Sequence, residues 1–334
     1  MQSKRWLITG GCGFIGTSII KKLLKDSGNY IRIIDNLSVG TRTDLAKVTS
    51  FIEKKGEGFR SELTAPPNSQ VELIVGDILD SQLALELAKD MDVIIHLAAN
   101  TGVAPSVENP RQDCMYNVVG TFNFLEAARQ ANCKRFVFAS SGAIVGECDP
   151  PLHEELPAHP VSPYGASKVC GEAYCSAYFR TFGVKTTALR FSNVYGPLSS
   201  HKNSLVARCI RRVLDGDHIE IYGDGENTRD FLYIDDLVNA VLLAAETDAA
   251  AGEVFQIATN QETTVNELIA QLLPILEQQG FKNTKVLHEG ARLGDVRRNF
   301  ADTSKAHKLL NWEPQTDLDK GLKNTLDWFM GKNL

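Results

Sequence analysis

The sequence has no long apolar run, no C-x-x-C pair, no basic surplus, no internal repeat and no low-complexity segment. Each absence removes a class of function. Spanning a bilayer takes about 20 consecutive apolar residues, and the first apolar stretch, Trp6 to Thr9, is too short for that or for the core of a signal peptide. The chain therefore reads as cytoplasmic, with no membrane partner. Lys and Arg number 35 against 41 Asp and Glu, a formal net charge of −6. No electrostatic footprint for nucleic acid follows from that balance. Seven cysteines (Cys12, Cys114, Cys133, Cys148, Cys170, Cys175 and Cys209) are odd in number and scattered. Neither a disulfide framework nor a zinc site is supported, no metal is expected, and buried reduced thiols are the default.

What the 334 residues do contain, 43% of them hydrophobic, is an alternation of short apolar runs with helix-length segments. Strands are predicted at 5–9, 30–35, 71–77, 93–99, 135–141 and 185–191. All but the fourth follow a segment long enough for a complete helix. Continuous runs such as Val93-Ile94-Ile95-His96-Leu97-Ala98-Ala99 suit strands covered on both faces. The fold class is α/β: a Rossmann-type doubly wound parallel sheet with a smaller mixed α/β C-terminal substrate domain. The polar stretch from Gly40 to Gln70 predicts one helix at 42–54 and a surface loop. Further helices are expected at 17–25, 203–214, 236–246, 265–279 and 318–330. Residues 1–190 with about 229–260 form the predicted dinucleotide-binding unit, and 191–228 with 261–334 the smaller one.

Directly after the first strand comes Thr9-Gly10-Gly11-Cys12-Gly13-Phe14-Ile15-Gly16. Gly10, Gly13 and Gly16 allow a tight turn and close approach of backbone to a pyrophosphate, and the N-terminus of the helix that follows offers unpaired N–H groups to the anion. Asp35 ends the next strand, 19 residues after Gly16, near the spacing expected of a carboxylate that accepts bonds from ribose hydroxyls. NAD is favoured, because a 2′-phosphate would be repelled. Asp77, before Ile78, either meets the adenine or caps the following helix. Asn117 interrupts an amphipathic helix and implies a buried hydrogen-bonding duty.

Tyr164-Gly165-Ala166-Ser167-Lys168 puts a phenol and an ammonium on one face of the helix begun by Ser162-Pro163. The cation is expected to lower the tyrosine pKa and make it a general base. This pair follows a strand ending Ala139-Ser140-Ser141, whose hydroxyls emerge at the sheet edge where a nicotinamide would lie.

With these motifs the sequence resembles the extended short-chain dehydrogenase/reductase family, and within it the NAD-dependent sugar-nucleotide epimerases and dehydratases, closest to the UDP-hexose 4-epimerases. The likeness spans nearly the whole chain. It rests on the glycine motif, Asp35-Asn36-Leu37-Ser38, His96-Leu97-Ala98-Ala99, Ser140-Ser141, Tyr164 to Lys168, Leu189-Arg190-Phe191-Ser192-Asn193-Val194-Tyr195-Gly196-Pro197, Gly223-Asp224-Gly225, Arg229-Asp230-Phe231 and Arg292-Leu293-Gly294-Asp295-Val296. The resemblance implies Tyr164 as base, Lys168 holding the nicotinamide ribose, and Ser141 bonding the reacting sugar oxygen. It places Asn36, Asp77, Ile78, Leu97, Ala98, Ala99 and Asn117 at the cofactor. It places Ser106, Gly142, Asn193, Arg229, Arg292 and Asn299, with Ser141, at a nucleotide-diphosphate sugar, most simply a UDP-sugar. Helices at 113–130 and 163–180 would pair across a two-fold axis, giving a homodimer.

The implied chemistry is oxidation at sugar C4 to a bound 4-keto sugar with retained NAD. Dehydratases and decarboxylases place an acid beside the active-site hydroxyl, where this chain has Gly142-Ala143; its first acid is Glu147. Epimerisation demands least beyond what is present. Val145 stands where the family usually has Tyr, and Asn299 where plain-hexose epimerases hold a bulkier residue, which points to tolerance of N-acetylhexosamines. Ala104 offers no cation to a uronate, so a UDP-uronate 4-epimerase is the less favoured alternative. A catalytically silent dinucleotide sensor is least favoured, because both Tyr164 and Lys168 are present.

Overall fold

A computed structural model describes residues 4–55, 70–290 and 296–332. Strands and helices alternate in the first half: β1 (Arg5–Thr9), α1 (Phe14–Leu23), β2 (Tyr30–Asp35), α2 (Arg42–Ala46), β3 (Ile52–Lys55), β4 (Val71–Val75), α3 (Ser81–Ala88) and β5 (Val93–His96). After β5 come α4 (Val103–Glu108), α5 (Pro110–Cys114), a π-helical segment (Met115–Gly120), α6 (Thr121–Gln130), β6 (Arg135–Ser141), α7 (Pro163–Phe182) and β7 (Thr186–Phe191). The second half holds β8 (Asn193–Tyr195), α8 (Leu205–Leu214), β9 (Ile219–Tyr222), β10 (Thr228–Arg229), β11 (Phe231–Tyr233), α9 (Ile234–Glu246) and β12 (Val254–Ile257). It ends with β13 (Thr263–Thr264), α10 (Val265–Gln278), β14 (Val286–Glu289), α11 (Ser304–Leu310) and α12 (Leu318–Phe329).

Eight parallel strands form one sheet in the order β12-β7-β6-β5-β1-β2-β4-β3. The chain runs outward from β1 on one side, then returns to lay β5, β6 and β7 on the other. The switch between β1 and β5 opens a crevice at the carboxyl ends of the strands, where such sheets bind ligands. Period-two alternation sorts the side chains. Ile8, Ile33, Ile95 and Val137 pack with Ile19, Leu23, Leu237 and Val241 of α1 and α9. Leu7, Ile34, Ile94 and Phe138 face Leu83, Leu87, Phe124 and Leu125 of α3 and α6. Each fully buried Leu or Ile contributes about 1.5–3 kcal/mol, so these faces set the register of every strand. The first apolar cluster continues without a break into Leu272, Leu276, Leu322 and Leu326 of α10 and α12. Among the described residues no helix is long and apolar enough to cross a membrane.

Four expectations change. The helix predicted at 42–54 stops at Ala46, and Ile52–Lys55 pairs with β4 as an edge strand, a tertiary contact that local pattern does not encode. The fourth main strand does follow a helix, α3, capped by Asp80, whose Oδ1 accepts from the N–H groups of Gln82 and Leu83. Strands predicted to reach 77 and 99 end at Val75 and His96; beyond them side chains take N–H groups out of the ladder, Asp77 Oδ1 accepting from Leu79 at 2.9 Å and Thr9 Oγ1 from Ala98 at 3.0 Å. The helix expected at 113–130 begins at Pro110, where Asn109 Oδ1 accepts from the Gln112 N–H, and passes through the π-helical segment.

Candidate active site

The glycine turn links β1 to α1. Gly10 takes a left-handed φ of 69° and donates its N–H to Ile34 O at 2.8 Å, tying the turn to β2. A Cβ on Gly16 would lie 2.6 Å from Gly10 O and from Gly11 Cα, so only glycine lets α1 start this close to the turn. Gly13 precedes α1 with no side-chain cap, and the first helical turn, which includes the half-buried Phe14 and Ile15, carries no acid. The unpaired N–H groups and the positive end of the helix dipole therefore face an anion site. Asp35 is buried at the end of β2 and accepts from Cys12 N at 2.9 Å and Leu37 N at 2.8 Å. Burial raises its pKa while the two amides pull it back. Each carboxylate oxygen keeps a further acceptor site for a hydroxyl. Asn36 is exposed beside it.

His96 supports the other lip. It is fully buried against Phe124, Phe136 and Phe138, and burial drives its pKa down to about 3. Thr9 Oγ1 already accepts from the N–H groups of Leu97 (3.1 Å) and Ala98 (3.0 Å), so its proton points to His96 Nδ1 at 3.0 Å. That assigns the neutral Nε2–H tautomer, donating to Thr121 Oγ1 at 3.2 Å. The result fixes half-buried Leu97, Ala98 and Ala99 at the crevice edge. Asn117 clamps the next residue: its Oδ1 accepts from Asn100 N at 2.7 Å and its Nδ2 lies 3.0 Å from Asn100 O. The buried duty expected of Asn117 is present. Only 1% exposed and bonded to protein on all sides, it supports the cofactor lip rather than facing it. Asp77 does not cap α3; Asp80 does, leaving Asp77 with Leu79 N–H and the Tyr116 hydroxyl (3.3 Å). Ile78 is buried and its carbonyl accepts from Asn123 at 3.0 Å.

Ser162 opens α7 by accepting from Gly165 N–H at 3.1 Å, with Pro163 in the first turn, and this aims Tyr164 back at the end of β6. The Ser141 hydroxyl, which accepts from Ala143 N–H at 3.2 Å, acts to lower the pKa of the half-buried phenol. Lys168, 4% exposed, donates Nζ to Ala139 O at 2.8 Å and lies 5.7 Å from the Tyr164 ring centroid. The expected lowering of the tyrosine pKa by Lys168 is not found. Burial raises Tyr164 to about 12, Ser141 opposes that, and Asp113 adds to it. Burial likewise lowers Lys168 to about 8, against the charges of Asp113 and Glu172. Beneath this pair Glu172 takes Arg190 in a bidentate buried bridge (2.9 and 2.8 Å) and accepts from Ser140. Asp113, Ser167 and Glu172 escaped the sequence reading. Their available signal was spacing, since Asp113 precedes Asn117 by four residues and Glu172 follows Lys168 by four.

The residues expected at a sugar nucleotide are less uniformly placed. Asn193 is exposed on β8. Arg229 Nη1 donates to the carbonyls of Thr228 (2.6 Å) and Val296 (2.7 Å), joining β10 to the segment after 295. Asn299 is half-buried, its N–H 3.2 Å from Thr228 Oγ1. Half-buried Gly142 follows Ser141, and a Cβ there would meet Leu152 at 3.4 Å. Ser106 is fully buried on α4, its hydroxyl donating to Val103 O at 2.6 Å. Arg292 lies outside the described residues.

The glycine cradle, the uncapped helix and the Asp35 carboxylate fit a dinucleotide, and the comparisons agree. The model of the NAD dependent epimerase/dehydratase family matches residues 6–258. A putative UDP-glucose 4-epimerase of Methanocaldococcus jannaschii is 36% identical over 332 residues, covering 98% of this chain and 99% of that protein. The UDP-N-acetylglucosamine 4-epimerase of Methanobrevibacter ruminantium M1, solved with UDP-N-acetylmuramic acid, superposes with a TM-score of 0.86 at 31% identity over 99% of both chains. The UDP-glucuronic acid 4-epimerase of Bacillus cereus, solved with UDP-glucuronic acid and NAD, gives 0.84 at 29% identity over 98% of this chain and 99% of that one.

Proposed function

The chain belongs to the NAD dependent epimerase/dehydratase family, and from that premise we propose that it is a UDP-sugar 4-epimerase. The observation that carries this reading is the convergence of Ser141, Tyr164 and Lys168 at the carboxyl edge of β6 with no acid among residues 142–146, which follow Ser141. Residues 142–146 form a short 3₁₀ turn and its exit, and Glu147 beyond it is exposed. A dehydratase needs an acid at the substrate to expel water, and none of the residues directly after Ser141 supplies one. Val145 is packed with Ile144, Leu152 and Ala301 in a small core of its own. Its difference from the usual family residue is therefore one of packing beneath the substrate.

Residues 1–190 with about 229–260 hold the cofactor in this reading, and 191–228 with 261–334 hold the nucleotide sugar. Gly10, Gly13 and Gly16 receive the pyrophosphate, Asp35 with Asn36 the adenosine ribose, and Lys168 the nicotinamide ribose. Bound NAD supplies a two-electron acceptor at C4 of the sugar, returns the hydride, and brings the positive ring charge that favours a neighbouring phenolate. Tyr164 removes the proton of the 4-hydroxyl, Ser141 hydrogen-bonds that oxygen, and a 4-keto sugar results. Tyr164 would then return the proton to the 4-oxygen when the keto sugar is reduced with inverted configuration. Arg229 and Arg292 clamp the diphosphate, a task that suits the planar donor fork of arginine.

Asn299, a modest side chain beside β10, supports room for an N-acetyl group. Helix α4 carries no cation to meet a uronate. Phe122, Tyr174 and Phe182 are 39%, 39% and 53% exposed on α6 and α7, and that aromatic face supports a homodimer formed by these two helices.

Incubation with UDP-glucose, UDP-N-acetylglucosamine and UDP-glucuronate, without added NAD and followed by proton NMR, tests the reading. An axial 4-hydroxyl product without net NADH is expected, and a dehydrated or decarboxylated product overturns it. Tyr164→Phe should lose at least about 100-fold in turnover while keeping NAD bound; near-normal turnover removes Tyr164 as the base.

A further inference from the structure

Asp113 is a buried carboxylate, 1% exposed, that the proposed reaction does not use. Its Oδ1 accepts from Asn117 Nδ2 at 2.9 Å, and the nearby Ser167 hydroxyl acts to lower its pKa against the raising effect of burial. Asn117 Nδ2 also lies 3.0 Å from Ser167 Oγ, which is 2.9 Å from Tyr164 O. One polar chain thus runs from α5 through the π-helical segment to the turn of α7 that carries Tyr164 and Lys168. Inserted π turns re-aim side chains and recur at functional sites. Here the segment holds Asn117 between Asn100, Asp113 and Ser167.

A neutral acceptor would satisfy the Asn117 amide equally well, and burying a carboxylate without a facing cation is costly. Glu172 has its cation in Arg190. Asp113 makes no such ion pair among the described residues. The cation it faces is Lys168, whose own hydrogen bond goes to a neutral carbonyl. Around Lys168 stand Asp113 from α5, Tyr164, Glu172 and Cys175 from α7, His96 from β5, and Arg190 from β7 behind Glu172.

We propose that Asp113 is a positioning residue: its buried carboxylate holds, through Asn117 and Ser167, the helical turn bearing Tyr164 and Lys168, and acts as counter-charge to the Lys168 ammonium. This rests on Tyr164 being the base. The charge of Asp113 raises both Tyr164 and Lys168, whereas Glu172 raises Lys168 and is not among the groups that shift Tyr164. Removing the Asp113 charge should therefore lower both pKa values together.

Asp113→Asn keeps an acceptor for Asn117 and removes the charge. Both limbs of its kcat/KM profile should move to lower pH, with a loss of about tenfold on the basic limb. Its melting midpoint and its KM at the optimum should stay close to those of the parent. Ser167→Ala keeps the charge and removes the hydroxyl that lies between Asn117 and Tyr164 O, so kcat should fall with the limbs in place. Unmoved limbs in Asp113→Asn, or a pH-independent loss that parallels a lowered melting midpoint, overturn the proposal. Titration of phenolate absorbance, with each protein referenced to its Tyr164→Phe counterpart, follows Tyr164 without turnover. An acid-shifted Tyr164 titration in Asp113→Asn supports the proposal and an unshifted one refutes it, even if Tyr164→Phe turns out active and the epimerase reading falls.

Discussion

At the proposed cofactor end of the crevice, Gly10, Gly13, Gly16 and the start of α1 present backbone groups, and Asp35, Thr9 and His96 brace them from adjacent strands. At the proposed sugar end, Asn193, Arg229 and Asn299 present side chains from three separate segments, with Arg229 bridging two of them through Thr228 O and Val296 O. The first end is built from contiguous sequence and strand pairing, so its chemistry is general to one cofactor. The second is assembled from distant pieces, and each side chain can change without disturbing the sheet. Relatives named as a putative UDP-glucose 4-epimerase, a UDP-N-acetylglucosamine 4-epimerase and a UDP-glucuronic acid 4-epimerase accord with a shared cofactor end and a variable sugar end.

Three substitutions separate the ends, beginning with the largest effect. Gly16→Val drives a Cβ into Gly10 O and Gly11 Cα, an overpacking of about 1–3 kcal/mol or more. NAD should be lost on purification, as seen in the absorbance of released nucleotide, with activity gone for every sugar; retention of NAD would break the distinction. Arg229→Ala should raise KM for the UDP-sugar about tenfold or more, the scale of a charge-assisted bond, with NAD still bound. A change in NAD content instead would show that the two ends are coupled through β10. Asn299→Tyr is the finest cut: turnover of UDP-N-acetylglucosamine should fall several-fold, about 1 kcal/mol of selectivity, while UDP-glucose is unaffected. Equal effects on both sugars would remove Asn299 from the specificity pocket.

The sheet was readable because strands covered on both faces must be continuously apolar and the helices between them amphipathic. The strands at 5–9, 30–35 and 135–141 appear at their expected limits. The edges β3 and β12 were not readable, since an edge strand is short, half-polar and defined by its partner. In the site, Ser141, Tyr164 and Lys168 announced themselves through local spacing. The burial of Ser106 and its bond to Val103 O were not legible, because both depend on how α4 packs. Asp113 stayed hidden because an acid one turn before Asn117 looks like a solvated helical face until α7 covers it.

By itself the sequence determined the parallel sheet, the glycine turn and the Tyr164–Lys168 face, because each depends on residues close together in the chain. Only the tertiary structure decided the electrostatics. Burial, which no local pattern records, raises Tyr164 to about 12 and lowers Lys168 to about 8, and the lysine is not among the groups that shift the tyrosine. It is also packing between α5 and α7 that brings the carboxylate of Asp113 to face them both.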